Sequence, residues 1–498
     1  MKVLFVYPNL TRQITLQIGI ASLSSVLKRE GHICELFDIT FIDRGNELQA
    51  FEEKIKIFRP DLIAISCRSL EWPFVKKMLS LVSKDIPTVL GGCHPTVSPL
   101  EVIENKEVDF VVIGEGELVL TELVDRLERN KDPTSIKNVW LKANGHIIKN
   151  EIRPYIEDLD TLPIPDWDLF NSRHFLESYL SKEKGYTVVG VFEMSRGCPY
   201  SCTYCINNYL QDIYRHKGRY HREKSIKRVL QEMKVFKNKY GLDYVFFVDE
   251  TFLAKKKSTL EELKEAYIKE INVPFGYMSH PDQVTEERLN IVKQMNAHSA
   301  AIGIESGDEE FRKKILGRNM RQEVIIKAFN LTKKYNIKTH SFNMIGLPHE
   351  DREIIEKTIQ LNRMVKPDSL QISIFYPFKG TKLYDICNNE SLLRGEEENL
   401  TNYYQHSILN FPKEKKRALF KLSKLMPMYV RINKFLLFIP RILEKYDFLF
   451  NIWWKAYTWI TTIKTKMLYF RYIMKRYGIA GITRKIITKL KRSIPLVV

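Results

Sequence analysis

Cysteine is scarce in this 498-residue chain: seven residues, too few and too scattered for a disulfide framework. Three of them, however, stand within one eight-residue stretch, and in a reducing compartment that spacing points to metal or redox chemistry. No Lys- or Arg-led apolar leader opens the chain. Met1 to Tyr7 (MKVLFVY) runs directly into a strand-like segment, so no signal peptide is expected. Gly- and Ser-rich low-complexity tracts are missing too, which excludes a long flexible tether between modules. In the C-terminal segment no uninterrupted apolar run approaches ~18 residues, which argues against a spanning helix there. Acidic excess is absent. The formal charge is +18, and Phe411 to Val498 carries all of it, with 21 Lys and Arg against Glu414, Glu444 and Asp447. The rest of the chain holds 57 charges of each sign, so an acidic partner has to be sought at the tail.

The composition is that of a globular protein, and the length suggests about three domains. Short apolar runs at Val3–Tyr7, Ile33–Phe37, Leu62–Ser66, Pro87–Leu90 and Asp109–Ile113 read as strands. Helical periodicity fills Gln17–Arg29, Glu47–Phe58, Phe74–Val82 and Glu117–Glu128. Apolar strands with helical crossovers imply a Rossmann-like, doubly wound parallel sheet over residues 1–140, with ligands beyond the carboxyl ends of its strands. Residues 141–185, punctuated by Pro154, Pro163 and Pro165, read as a linker. A second alternation follows over 186–390. Val188–Glu193, Tyr244–Val248, Phe275–Ser279, Ala300–Ile304, Thr339–Met344 and Leu370–Ile374 read as strands, with helices between them. Six β/α units suit a partial (β/α)6 barrel better than a closed eightfold one. Residues 391–498 form a basic, aromatic, helical C-terminal region.

The cysteine triad sits in Cys198-Pro199-Tyr200-Ser201-Cys202-Thr203-Tyr204-Cys205, directly after the first strand of the second module. Thiolates are the ligands that iron–sulfur clusters require. Cys198, Cys202 and Cys205 suffice for three corners of a [4Fe–4S] cubane and leave the fourth iron open to a substrate. The alternatives are a zinc site or an electron-transfer cluster. A zinc site normally draws on four ligands, and no second CxxC exists here. Cys387 is distant and single, and reads as a small buried hydrophobe.

The motif and its surroundings, from about Tyr186 to Tyr384, resemble the radical S-adenosylmethionine superfamily. That resemblance implies a catalytic cluster on the three cysteines, S-adenosylmethionine on its open iron, and adenine placed at Tyr204. Phe247-Val248-Asp249-Glu250-Thr251-Phe252 is similar to a version of the family's methionine-binding element, with Asp249 and Glu250 toward the amino group. The later family motifs are matched by Gly303-Ile304-Glu305-Ser306-Gly307 and Met344-Ile345-Gly346-Leu347-Pro348, which implies roles for Glu305, Ser306 and Gly346. The second motif usually continues Gly-Glu-Thr, whereas His349-Glu350-Asp351 follows here. Read from the residues alone, the place of Asp249, Glu250 and Glu305 at strand ends favours a ligand-binding role, with strand-end caps (Asp249, Glu250) and a buried salt-bridge partner (Glu305) as the alternatives.

A parallel sheet before such a barrel resembles the cobalamin-binding branch of the superfamily, and cobalamin is the second cofactor this implies. Gly91 and Gly92 would let a flat macrocycle approach the backbone. Gly114 and Gly116 would free backbone N–H groups at the start of the next helix, and Glu115 between them is a further candidate contact. The DxHxxG motif that supplies an axial histidine elsewhere is absent, and His94, in the Gly-Gly-Cys-His-Pro loop, reads either as a corrin contact or as a partly exposed loop residue. The methylthiolating branch fits less well, since Cys34, Cys67 and Cys93 are single and scattered.

The resemblance implies methylation of an unactivated carbon through a 5′-deoxyadenosyl radical and methylcobalamin. Cyclisation or rearrangement with the same cofactors is the second reading, and a non-catalytic iron–sulfur carrier the third. A flavodoxin- or ferredoxin-type reductant and a small-molecule or lipid substrate are the implied partners. In the tail, Trp453, Trp454 and Trp459 accompany Lys and Arg, and Ile463, Met467, Phe470 and Met474 recur at helical spacing with Lys464, Arg471 and Lys475 to one side. That pattern suits a helix in an anionic membrane interface, a cap on the barrel, or, with no RNA-binding module in support, nucleic acid. A cytoplasmic protein, peripheral on the inner membrane face, is the corresponding expectation.

Overall fold

The structure, a computed structural model, describes residues 1–178, 188–393, 402, 404, 406–464 and 467. Seven strands build the first sheet: β1 (Lys2–Tyr7), β2 (Ile33–Asp38), β3 (Leu62–Ser66), β4 (Thr88–Gly91), β5 (Phe110–Val112), β6 (Val139–Ala143) and β7 (His146–Lys149). Their spatial order is β2-β1-β3-β4-β5-β6-β7. The first five pair in parallel. Alternation along β1 shows why its run is apolar throughout. Val3, Phe5 and Tyr7 enter the core on one face of the sheet, and Leu4 and Val6 enter the core on the other. The strand order reverses between β1 and β3, which opens a crevice at their carboxyl ends.

Two expectations about the next stretch are corrected. The sheet does not end near residue 140. β6 and β7 extend it as an antiparallel hairpin, turned by Asn144 and Gly145, both at positive φ (+52° and +76°). An Asn-Gly pair between short strands is the sequence signature of this two-residue turn. Nor is the proline-punctuated segment a loose connection. Trp167, Phe170 and Phe175 are buried in a core shared with both modules, and the Trp167 ring stacks edge-on to Phe192 and Phe236. Asp166 accepts from Ser24 Oγ at 2.6 Å and pairs with Lys28 at 2.7 Å. The chosen start of the barrel at 186 lies outside the described residues.

Next in the chain come β8 (Val189–Phe192), the two-residue strands β9 (Ser195–Arg196) and β10 (Arg222–Glu223), then β11 (Tyr244–Phe247), β12 (Phe275–Ser279), β13 (Ala297–Glu305), β14 (Lys338–Ile345) and β15 (Ser369–Ile374). β8 and β11 to β15 form one six-stranded, wholly parallel sheet in chain order, the partial barrel. β9 and β10 form a small antiparallel ribbon at its mouth.

The tail begins as a cap. In the helix Lys413–Arg431, Leu419, Leu422, Leu425 and Met426 pack on Ile345, Ile355, Ile359, Ile372 and Ile374. Each such buried side chain is worth about 1.5–3 kcal/mol. Among the described residues no helix is long and apolar enough to cross a membrane. Phe470, Arg471, Met474 and Lys475 lie outside the described residues.

Candidate active site

β8 delivers the chain to the cysteine loop, and the helix Ile206–Ile213 begins directly after Cys205. The loop is held by its neighbours. Gln211 Nε2 donates to the carbonyls of Cys198 (2.8 Å) and Tyr200 (3.0 Å), and the Thr203 backbone is tied to Leu316 and Leu383. Asn207 Nδ2 lies 3.4 Å from Cys205 Sγ, and Arg318 Nη1 lies 3.9 Å from Cys202 Sγ. Burial pushes the Cys198 thiol up to about 11 and the Cys205 thiol up to about 12. Coordination to iron therefore has to supply the stabilisation that burial withholds from a bare thiolate. Among the described residues no three His, Cys, Asp or Glu side chains stand gathered as a metal-ligand set. The fit of the triad to a cluster rests on its three soft donors in one held, partly open loop. The other cysteines offer no such group: Cys34, Cys67 and Cys387 are buried.

The two acids at the end of β11 separate in role. Asp249 is buried. It accepts from Lys255 Nζ at 2.6 Å, from Ser195 Oγ and from the Met194 N–H at 3.2 Å. Its carboxylate ties the ends of the first two barrel strands together and faces no open space. Glu250 is exposed to the cleft instead. Its carboxyl is raised by burial among the surrounding walls, an effect the Asn207 amide opposes. Its charge is felt at Cys93, Cys198 and Cys205. Of the pair, Glu250 is the exposed one and Asp249 the buried one.

Glu305, where β13 loses register, has φ +66°. Burial raises its carboxyl, while Arg318 and the Tyr204 hydroxyl hold the charged form. Arg318 donates to the Gly303 carbonyl (2.9 Å) and to Tyr204 Oη (3.3 Å), so Tyr204, Glu305 and Arg318 form one group beside Cys202. Ser306 is fully buried and braces the adjoining turn. Gly346, at φ +78°, donates its N–H to Glu350, whose other carboxyl oxygen is buried without a partner. His349 takes φ +60°, so the left-handed backbone suited to a glycine is kept without one.

A cavity of about 360 Å³ lies beyond the carboxyl ends of β1, β3, β4 and β5. Gly91, Gly92, Gly114, Glu115 and Gly116 line it, together with Arg68, Cys93, Glu193 and Arg196. A Cβ on Gly92 would come within 3.1 Å of the Cys67 carbonyl oxygen, and one on Gly116 within 3.1 Å of Leu23 Cδ2. Two expectations shift here. His94 is not in the lining. It is buried in the short helix Cys93–Val97, its ring 5.4 Å from that of Trp72, and burial lowers its pKa to about 4. Neither ring nitrogen has a hydrogen-bond partner. The N–H groups of Gly114 and Glu115 are already engaged by Thr96 Oγ1 (3.1 Å) and Tyr214 Oη (3.0 Å).

The cavity wall crosses from one module to the other. Arg196, two residues before Cys198, pairs with Glu117 (2.7 Å) and Glu193 (2.9 Å). Burial would raise the Glu117 carboxyl, but Arg196 overrides it and holds the group below its ordinary value. Arg222 grips Glu115 through both terminal nitrogens (2.6 and 3.1 Å). Neither arginine, nor Arg318, nor Lys255 was marked by spacing in the sequence. The one available hint was that Arg196 shares its segment with the cysteines.

The Radical SAM superfamily matches residues 192–361, and the B12 binding domain matches residues 11–124. An uncharacterized methyltransferase of Pyrococcus horikoshii is 30% identical over 381 residues, covering 75% of this chain and 79% of that protein. An anaerobic magnesium-protoporphyrin IX monomethyl ester cyclase of Rubrivivax gelatinosus is 24% identical over 406 residues (77% and 69%). Hopanoid C-3 methylase of Methylococcus capsulatus is 24% identical over 402 residues (77% and 72%). The structure of the cobalamin-dependent S-adenosylmethionine radical enzyme OxsB, with aqua-cobalamin and S-adenosylmethionine bound, shares the fold. Its TM-score is 0.66 at 17% identity, over 99% of this chain and 75% of that one. With the cysteine loop, the glycine-walled cavity and these matches in agreement, the chain belongs to the cobalamin-binding radical S-adenosylmethionine enzymes, which use a [4Fe–4S] cluster, S-adenosylmethionine and cobalamin.

Proposed function

We propose that this enzyme methylates an unactivated carbon of a small, lipid-like substrate. One observation carries the reading: the glycine-lined cavity of the sheet domain and the cysteine loop share a wall, with Arg196 in the cavity and Cys198 two residues on. In this reading Cys198, Cys202 and Cys205 hold the cluster, and Glu250 receives the amino group of S-adenosylmethionine. The cluster and S-adenosylmethionine supply hydrogen abstraction when bound, and cobalamin supplies the methyl group. The chain's own part is to orient and enclose. Asp249 and Lys255 lock the strand ends beneath the cysteine loop, and Arg196 and Arg222 close the two modules around the space between them. Gly91, Gly92, Gly114, Glu115 and Gly116 would line the site that holds cobalamin.

A flavodoxin- or ferredoxin-type protein serves as reductant in this reading, and the basic tail brings the enzyme to an anionic membrane surface. Cyclisation by the same cofactors is the second reading, favoured by the likeness to the Rubrivivax cyclase. Anaerobic reconstitution with iron, sulfide and hydroxocobalamin, followed by S-adenosylmethionine and dithionite, is the first test. Bound corrinoid and 5′-deoxyadenosine are expected, and Cys198→Ala should form no 5′-deoxyadenosine. Mass spectrometry of extracts with and without the enzyme then separates the outcomes. A product heavier by one CH2 supports methylation, and a product lighter by hydrogen overturns it in favour of ring formation.

A further inference from the structure

After the cap helix the chain continues through the helix Phe438–Lys445 and a second helix spanning 447–464. The inward side of the second helix is accounted for. Phe450 is buried, and Trp454 lies against it and against Phe420 of the cap, ring centroids 6.4 Å apart in both cases. The outward side is not polar. Phe448 (73% exposed), Ile452 (52%), Trp459 (68%) and Ile460 (57%) recur at helical spacing on the solvent face. Phe435 (87%) and Phe438 (55%) add to them from the preceding turn and helix. A surface helix ordinarily turns charge to water, and one that is apolar all round is ordinarily covered.

Charge shows what covers it. Lys434, Arg441, Lys445, Lys455 and Lys464 are exposed in the same stretch. Its two acids are neutralised by cations from other elements: Glu444 is partly covered, and Asp447, though exposed, is paired twice. Asp447 pairs with Arg417 (2.9 Å) and Lys421 (2.8 Å), and Glu444 pairs with Arg352 (3.3 Å) and accepts from the Tyr429 hydroxyl. The stretch thus presents apolar side chains with its acids neutralised and its cations in excess. A second copy would set five cations against the same five. Residues 468–498 carry eight Lys and Arg and no acid, so that segment is repelled as well. An anionic lipid surface satisfies both components at once, taking the aromatic side chains into the acyl boundary and the cations into the headgroups.

We infer that the face carrying Phe435, Phe438, Phe448, Ile452, Trp459 and Ile460 docks on an anionic bilayer. The inference rests on the membrane part of the proposed function and assigns residues to it. The cofactor-loaded full chain is mixed with vesicles of phosphatidylcholine alone, or of phosphatidylcholine with phosphatidylglycerol, and floated on a density gradient. Wild type should rise with the phosphatidylglycerol vesicles and stay down with phosphatidylcholine. Phe448→Ser/Trp459→Ser, whose side chains face solvent, should keep the cofactor absorbance and lose vesicle binding by roughly tenfold or more. If wild type fails to float with either vesicle, membrane association itself falls. If the double variant floats as well as wild type, membrane association stands and this face is not the contact. If the variant instead converts a wild-type dimer to a monomer in sedimentation, the occupant is a second copy and the inference is overturned.

Discussion

Lys255 Nζ lies 2.6 Å from Asp249 Oδ1 with both side chains fully buried. The ammonium also reaches Ser195 Oγ at 3.3 Å, so the pair braces the strand that leads to Cys198. Removing one partner leaves an uncompensated buried charge, which typically costs about 3–5 kcal/mol. Lys255→Met should lower stability by that order in urea titrations and reduce iron incorporation on reconstitution. Lys255→Met/Asp249→Asn, which removes both charges, should recover part of the loss. A single variant as stable as wild type would show that the pair contributes nothing.

Gly114 makes a sharper steric prediction. Its φ is +79°, and a Cβ there would fall 1.9 Å from Tyr214 Oη, across the boundary between the two modules. Gly31 has a similar φ of +88° with nothing within 4 Å, and is the matched control. Gly31→Ala should cost about 1–2 kcal/mol from backbone conformation alone. Gly114→Ala should cost about 1–3 kcal/mol more, from overpacking. Thermal unfolding of the two variants side by side measures the difference, and equal losses would remove the steric claim.

Glu350 predicts a pH dependence. Burial raises its carboxyl from 4.5 to about 8, against the pull of the Gly346 and Leu347 N–H groups. With the folded-state value above the unfolded one, the protonated form is the stable one in the fold. The contribution is complete below about pH 4.5 and is lost progressively as the pH rises through about 8. Glu350→Gln keeps an acceptor for Gly346 and cannot ionise. The stability difference between variant and wild type should therefore grow in the variant's favour from pH 5 to pH 8.5, approximately the window of the carboxyl. A flat difference across that window would contradict the assignment.

Arg318 places a permanent positive charge beside Cys202, a ligand in the proposed cluster site, and such a charge would favour the reduced cluster. Arg318→Met should move the reduction potential to more negative values by tens of millivolts, on a scale where a tenfold change in a one-electron equilibrium is about 59 mV. Arg318→Lys should restore most of it. Electron paramagnetic resonance during a redox titration reads this independently of turnover, and no shift in Arg318→Met would exclude an electrostatic role.

The fold was legible where a period or a motif carried it. The runs at Val3–Tyr7 and Leu62–Ser66 become β1 and β3 because parallel strands buried on both faces need unbroken apolar sequence. The cysteine loop was legible because its three thiols lie within eight residues of one another. The hairpin at Asn144-Gly145 was also written in the sequence, but its two strands are short, and the linker reading of residues 141–185 takes in most of it. What spacing could not reveal were side chains meeting over long separations, such as Arg318 with Tyr204 and Arg222 with Glu115. Asp249 shows the converse. Its motif pointed to a ligand, and only the structure shows it buried against Lys255 while Glu250 is exposed.

The paired grips of Arg196 on Glu117 and Arg222 on Glu115 bear on how such enzymes change by recombination. A sheet domain acquired from a relative brings its own loop after β5. Without matching arginines in the recipient it buries two carboxylates that nothing neutralises. The two modules therefore form a matched pair, and a change to the loop after β5 calls for a compensating change at Arg196 or Arg222.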